Sequence, residues 1–187
     1  DIFQMVKKYK KDRFSKPLIL MGYYQMIFNF GEKKFIKKCK ENGVDGLIVV
    51  DLSFPDNKKF ALLCKKNSIC FVQLISPTTS HKRMKEIIKV SHEMIYMISM
   101  ISTTGSALKV TTKKIMKNYE VIKKINPSKN VAIGFGITEK TIKSLRKADG
   151  LVVGSAICKQ ITNSINKRQN PVTNVTNMVK KLKNKIK

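Results

Sequence analysis

Six short apolar runs recur along the chain: PLILMGYY (17–24), GLIVVDL (46–52), ICFVQLIS (69–76), MIYMIS (94–99), VAIGFGI (131–137) and GLVVGSAI (150–157). They are rich in Ile and Val and nearly continuous in hydrophobicity, the pattern of strands buried on both faces. Between them, 32–42, 56–66, 80–92, 112–125 and 138–148 place apolar residues at helical spacing among lysines. Strand–helix alternation of this kind predicts parallel βαβ units, with one longer gap between 99 and 131. An amphipathic segment leads the chain, and PVTNVTNMVKKLKNKIK, opening at Pro171, predicts a last covering helix. Both a doubly wound sheet and a (β/α) barrel fit. Six strands complete an open sheet but leave an eight-stranded barrel two short.

The boundaries carry suitable chemistry. Thr138 followed by Glu139 can open a helix, and Gly43 after Asn42 offers a left-handed cap to another. Pro77 and Ser80 prepare the helix that starts HKRMKEIIKV. At 187 residues, 42% of them hydrophobic, the chain is long enough for one domain with a sizeable core. No run approaches ~18 consecutive apolar residues, and the first residues lack a signal peptide's charged-then-apolar order. The sequence therefore predicts a cytoplasmic protein. It opens at Asp1 inside an amphipathic segment, as a processed chain or a fragment would.

Parallel α/β folds bind ligands where their strands end. The residues there are Tyr23, Tyr24 and Gln25; Asp51; Ser76 and Thr78; Ser99 to Gly105; Gly134 to Thr138; and Gly154 with Ser155. The last three groups consist mostly of Gly, Ser and Thr, which allow backbone amides close approach to a phosphate. A helix N-terminus adds favourable partial charge, and barrel enzymes commonly build such a cradle after strands 7 and 8. Two tight turns without a ligand are the competing reading. STTGS (102–106) reads equally as a mobile lid or a flexible turn. Tyr23, Tyr96 and Phe135 near these strand ends suit either core packing or a flat apolar ligand. Asp51 alone among acidic residues directly ends a strand, placed to act as acid or base or to cap amides of its own loop.

Other chemistry is poorly served. Cys39, Cys64, Cys70 and Cys158 form no CxxC pair, and no histidine stands at metal-ligand spacing, so no metal is expected. All four read as buried structural thiols, two on helical faces and two beside strands. His81 and His92 bracket one helix without a nucleophile nearby. The net charge of +26 comes from 34 lysines and only Arg13, Arg83, Arg146 and Arg168. Base-edge and bidentate phosphate contacts favour arginine, and these lysines are spread over every helix. They read as solvated faces, with neither nucleic acid nor membrane as partner.

PLILMGYYQMIFNFG followed by FIKKCKENGVDGLIVVDLS resembles the third and fourth strand region of the tryptophan synthase α subunit family. YMISMISTTGS is similar to that family's loop after strand 6, and GFGI with VGSAI to its phosphate loops. The resemblance runs over essentially the whole chain. It implies a (β/α)8 TIM barrel whose strands 1 and 2 are absent from this sequence, 1–187 being the remainder of one domain. The activity implied is cleavage of indole-3-glycerol phosphate to indole and glyceraldehyde 3-phosphate. The implied partner is a β subunit, in an α2β2 tetramer, which makes L-tryptophan with pyridoxal phosphate; the α subunit needs no cofactor.

Carried over by position, Gly105, Gly136, Gly154 and Ser155 would hold the phosphate. Tyr23, Tyr96 and Phe135 would line the indole pocket, and Thr104 would belong to the closing loop. Asp51 and Gln25 would organise the loop after strand 4 and the subunit contact. The family's catalytic Glu and Asp would lie upstream of Asp1, so no catalytic residue is assigned. Gln25-Met26 replaces the usual Asn-Pro, Ser53 a common Pro, and Met100-Ile101-Ser102 the usual Arg-x-Gly. Two alternatives remain: another phosphate-binding barrel isomerase of amino-acid biosynthesis, or a degenerate, non-catalytic partner of the β subunit. A barrel lacking two strands would aggregate, so a native mass above the 21.3 kDa of this sequence is expected.

Overall fold

In the computed structural model each apolar run contributes a strand shorter than the run itself. Described are residues 1–12, 16–98, 100–103, 106–109, 111–134, 137, 139 and 141–186, with backbone only at 100–103 and 106–109. In chain order the elements are α1 (Ile2–Lys10), β1 (Ile19–Gly22), α2 (Tyr24–Phe30), α3 (Glu32–Asn42), β2 (Gly46–Val49) and α4 (Lys58–Lys66). Then come β3 (Cys70–Phe71), β4 (Gln73–Ile75), α5 (His81–Val90), β5 (Met94–Ile98), β6 (Met100–Thr103) and β7 (Ser106–Lys109). The chain closes with α6 (Thr112–Ile125), β8 (Asn130–Gly134), β9 (Gly150–Val152), α7 (Ser155–Asn166) and α8 (Pro171–Asn184). It divides into one compact unit of Asp1–Leu74 with Lys82–Ile95 and a second of Ile75–His81 with Tyr96–Lys187.

In the first unit β1, β2 and β3 form a parallel sheet in that order, Ile19 opposite Gly46 and Gly46 opposite Cys70. β2 is buried at all four positions, as its uninterrupted apolar sequence requires. Leu47 and Val49 pack with Ile36, Cys39, Phe60, Cys64 and Phe71 in one core. Phe3, Phe30 and Phe35 meet with ring centroids 5.8–6.1 Å apart, and Phe60 bridges Tyr24 and Phe71. Gly43 ends α3 at φ 82°, ψ 29°, the left-handed cap its position predicted.

The second unit holds the parallel pair β8 and β9, Ala132 opposite Gly150. Val131, Ala132 and Ile133 are buried, together with Ile115, Tyr119 and Ile122 of α6. Asn170 caps α8, its side chain accepting from the amides of Val172 and Thr173, with Pro171 at the first helical position.

One latch occurs in both units. Asp45, just before β2, accepts from the Leu18 amide and the Lys10 ammonium, both at 2.6 Å. Asp149, just before β9, accepts from the Val131 amide at 2.9 Å and from Lys123 at 3.1 Å. In each case a lysine and the amide opening the neighbouring strand share one aspartate.

Several sequence expectations need correction. The run at 69–76 is split at Val72 into β3 and β4. Tyr24, the last residue of the run at 17–24, begins α2, which buries Ile27. Segment 138–148 makes only a 3-10 turn, Ile142–Leu145, among its described residues. Ile142 and Leu145, three apart and both buried, suit that tighter turn. Ser155 begins α7 inside what reads as a strand, and the long gap contains the antiparallel hairpin β6–β7. Cys158, on α7, is exposed rather than buried. No helix among the described residues is long and apolar enough to cross a membrane.

Candidate functional site

Gly154 and Ser155 stand where β9 gives way to α7. Gly154 has φ −115°, open to any residue, and a Cβ built on it meets nothing within 4 Å. Neither backbone nor packing requires glycine there. Its carbonyl accepts from the Ile157 and Cys158 amides, opening a helix of 12 residues. Gly154 and Ser155 are both exposed at this helix start, where unpaired first-turn amides offer an anion favourable partial charge.

Gly134, at the end of β8, is the opposite case. A Cβ there would overlap the hydroxyl and ring of Tyr96, which presses against the bare backbone. Tyr96 is 6% exposed on β5, and burial raises its hydroxyl pKa. Gly105, Thr104, Phe135 and Gly136, together with the cap at Thr138, lie outside the described residues.

In the first unit Tyr23 is 63% exposed and extended, immediately before α2. It borders an apolar groove of about 800 Å³ with Leu20, Met21, Met26, Ile27 and Phe30. Gln25, on α2, donates to Asn29 one turn on, at 3.0 Å. Asp51 Oδ1 accepts from the Tyr24 amide at 2.6 Å. The carboxylate therefore caps a helix 27 residues earlier, not amides of its own loop. The Tyr24 hydroxyl donates to Glu32 at 2.9 Å; burial, then that carboxylate, raises its pKa. Asp51 thus belongs to a network running from β2 to α3.

No three His, Cys, Asp or Glu residues among those described could hold a metal. His92 Nδ1 accepts from the Phe71 amide at 2.9 Å, a structural task. Burial pushes the thiols of Cys39 and Cys64 up to about 12, which keeps them protonated.

The family model described as tryptophan synthase alpha chain matches residues 1–187. The chain belongs to the tryptophan synthase α-chain family. It is 66% identical to the α chain of Pelagibacter ubique, over all of this chain and 70% of that one. A crystal structure of the α subunit from Legionella pneumophila superposes with a TM-score of 0.85 at 26% identity, covering 99% of this chain and 68% of that one. The tryptophan synthase α2β2 complex of Pyrococcus furiosus, described for its mutual activation, gives 0.78 at 30% identity, with 96% and 69% covered. The fold class is the α/β TIM barrel of the tryptophan synthase α chains. Asp51's tertiary cap and the Tyr96–Gly134 contact escaped sequence reading, since neither partner lies near in sequence.

Proposed function

We propose that this chain supplies the phosphate-gripping part of a tryptophan synthase α subunit, which cleaves indole-3-glycerol phosphate to indole and glyceraldehyde 3-phosphate. One observation carries the reading. Gly154 and Ser155 open a long helix after a parallel strand, and the fold leaves empty the space a side chain on Gly154 would fill. The first-turn amides and the Ser155 hydroxyl hold the phosphate, with Gly105 and Gly136 completing the cradle. Tyr96 and Phe135, with Tyr23, border the indole, and Thr104 belongs to the loop that excludes water.

Proton transfer falls to the family's Glu and Asp, which match no position of this sequence. The chain forms part of one barrel domain, acts in the cytoplasm, and passes indole to a β subunit in an α2β2 tetramer. Pyridoxal phosphate belongs to that partner. Asp51 and Gln25 lie on the side that meets it.

The polypeptide as the organism makes it, assayed with indole-3-glycerol phosphate and the β subunit, should release indole. Gly154→Val should raise KM about tenfold by crowding charge-assisted contacts, with the melting temperature unchanged. Absence of turnover, or an unchanged KM in the variant, would count against this reading.

A further inference from the structure

Two primary amides are buried in the first unit: Asn57 is 2% exposed and Gln73 3%. Burying such groups is costly unless they are hydrogen-bonded. Asn57 Nδ2 donates to Gln73 Oε1 at 2.9 Å and to the Leu52 carbonyl at 3.3 Å. The Asn57 amide donates to the Ser53 carbonyl at 3.1 Å. From α5, the Arg83 guanidinium donates to the Phe54 carbonyl, and the Lys58 ammonium lies 4.9 Å from the centre of the Phe54 ring. Three consecutive carbonyls, directly after Asp51, are therefore all held. Asp51 in turn holds the Tyr24 amide at the start of α2. The loop cannot swing without breaking bonds to β4 and α5, so residues far along the chain fix where the carboxylate stands.

We propose that Asn57, Gln73 and Arg83 are positioning residues that hold the 51–54 loop beneath α2, keeping Gln25 and its helix in the pose the partner subunit engages. The clause about the partner rests on the function proposed above; the holding of the loop does not.

The test uses Gln73→Leu, which keeps the volume, and Arg83→Met, which keeps the stem, with Arg83→Lys restoring one donor. In the whole polypeptide, hydrogen exchange at the Tyr24 amide should quicken about tenfold in the first two and return towards wild type in the third. Amides of β2 should not change. With the β subunit, the activation of indole release should fall about tenfold, while turnover without the partner stays within about twofold. Unchanged exchange at Tyr24 overturns the proposal. Exchange that quickens equally across β2 and α4 also overturns it, because general loosening would then explain the effect. Faster exchange with activation intact removes the partner clause alone. A wild-type protein that the β subunit does not activate refutes the functional reading instead, and Tyr24 exchange still decides the loop.

Discussion

At the scale of single residues, identical amino acids hold different jobs. Gly134 is required by packing, whereas Gly154 is not. Gly134→Ala forces a Cβ into Tyr96, whose neighbours Ile95 and Met97 are buried. Overpacking of this kind costs about 1–3 kcal/mol, so the melting temperature should fall by several degrees. Because ring carbons as well as the hydroxyl overlap, Tyr96→Phe should not rescue the variant but Tyr96→Leu should. Equal rescue by both would show the clash to be misplaced. The cysteines divide likewise. Iodoacetamide near neutral pH should label the exposed Cys158, and reach Cys39 and Cys64 only in denaturant. Labelling of Cys39 in the folded protein, read by peptide mass, would contradict its burial.

At the scale of elements, an aspartate adds to the backbone pairing that joins neighbouring strands. Burial alone would raise the pKa of Asp45. The hydrogen bond and charge of Lys10 and the Leu18 amide outweigh it, so the carboxyl titrates below its ordinary value. A depressed pKa in the folded state means stability that is full above the unfolded value near 3.9 and is lost as pH falls through the folded one. Asp45→Asn should therefore cost about 1 kcal/mol at pH 7, the half-exposed pair being screened, and almost nothing at the acid end. Urea unfolding at both pH values checks this, and an equal loss at both would refute it. The strands were legible because buried parallel strands read as unbroken Ile and Val. α2 and α7 were not, since each begins within an apolar run and only the third dimension shows where the chain turns. The hairpin β6–β7 was hidden because MISTTGSALK has too few apolar residues to declare an alternation. The turn at Gly154 and Ser155, between β9 and α7, was legible in its lack of bulk. Asp51 declared its position but not its amide, because a cap 27 residues away leaves no local trace.

At the scale of the whole molecule the dominant fact is charge. Twelve acidic residues stand against 38 basic ones, so carboxylates are too few to pair with most lysines. The described ion pairs, such as Lys10–Asp45, Lys123–Asp149 and Lys185–Glu139, lie at least partly in solvent and lose little when salt screens them. Repulsion among the remaining cations acts over longer distances and is lost first, since the screening length shrinks from about 30 Å at 0.01 M to about 10 Å at 0.1 M salt. A net charge this far from zero destabilises the compact state by self-repulsion. Sodium chloride should therefore stabilise the protein, raising its melting temperature by several degrees between about 0.01 M and about 0.3 M. The last helix offers a direct control, because Lys180, Lys181, Lys183 and Lys185 crowd its C-terminal end, where Lys185 pairs with Glu139. Replacing Lys180 and Lys183 by Glu, which leaves the Lys185–Glu139 pair intact, should raise the melting temperature in low salt and flatten its rise with salt. If salt lowers the melting temperature of the unaltered protein, attraction within its ion pairs outweighs repulsion, and the lysine-rich surface stabilises the fold.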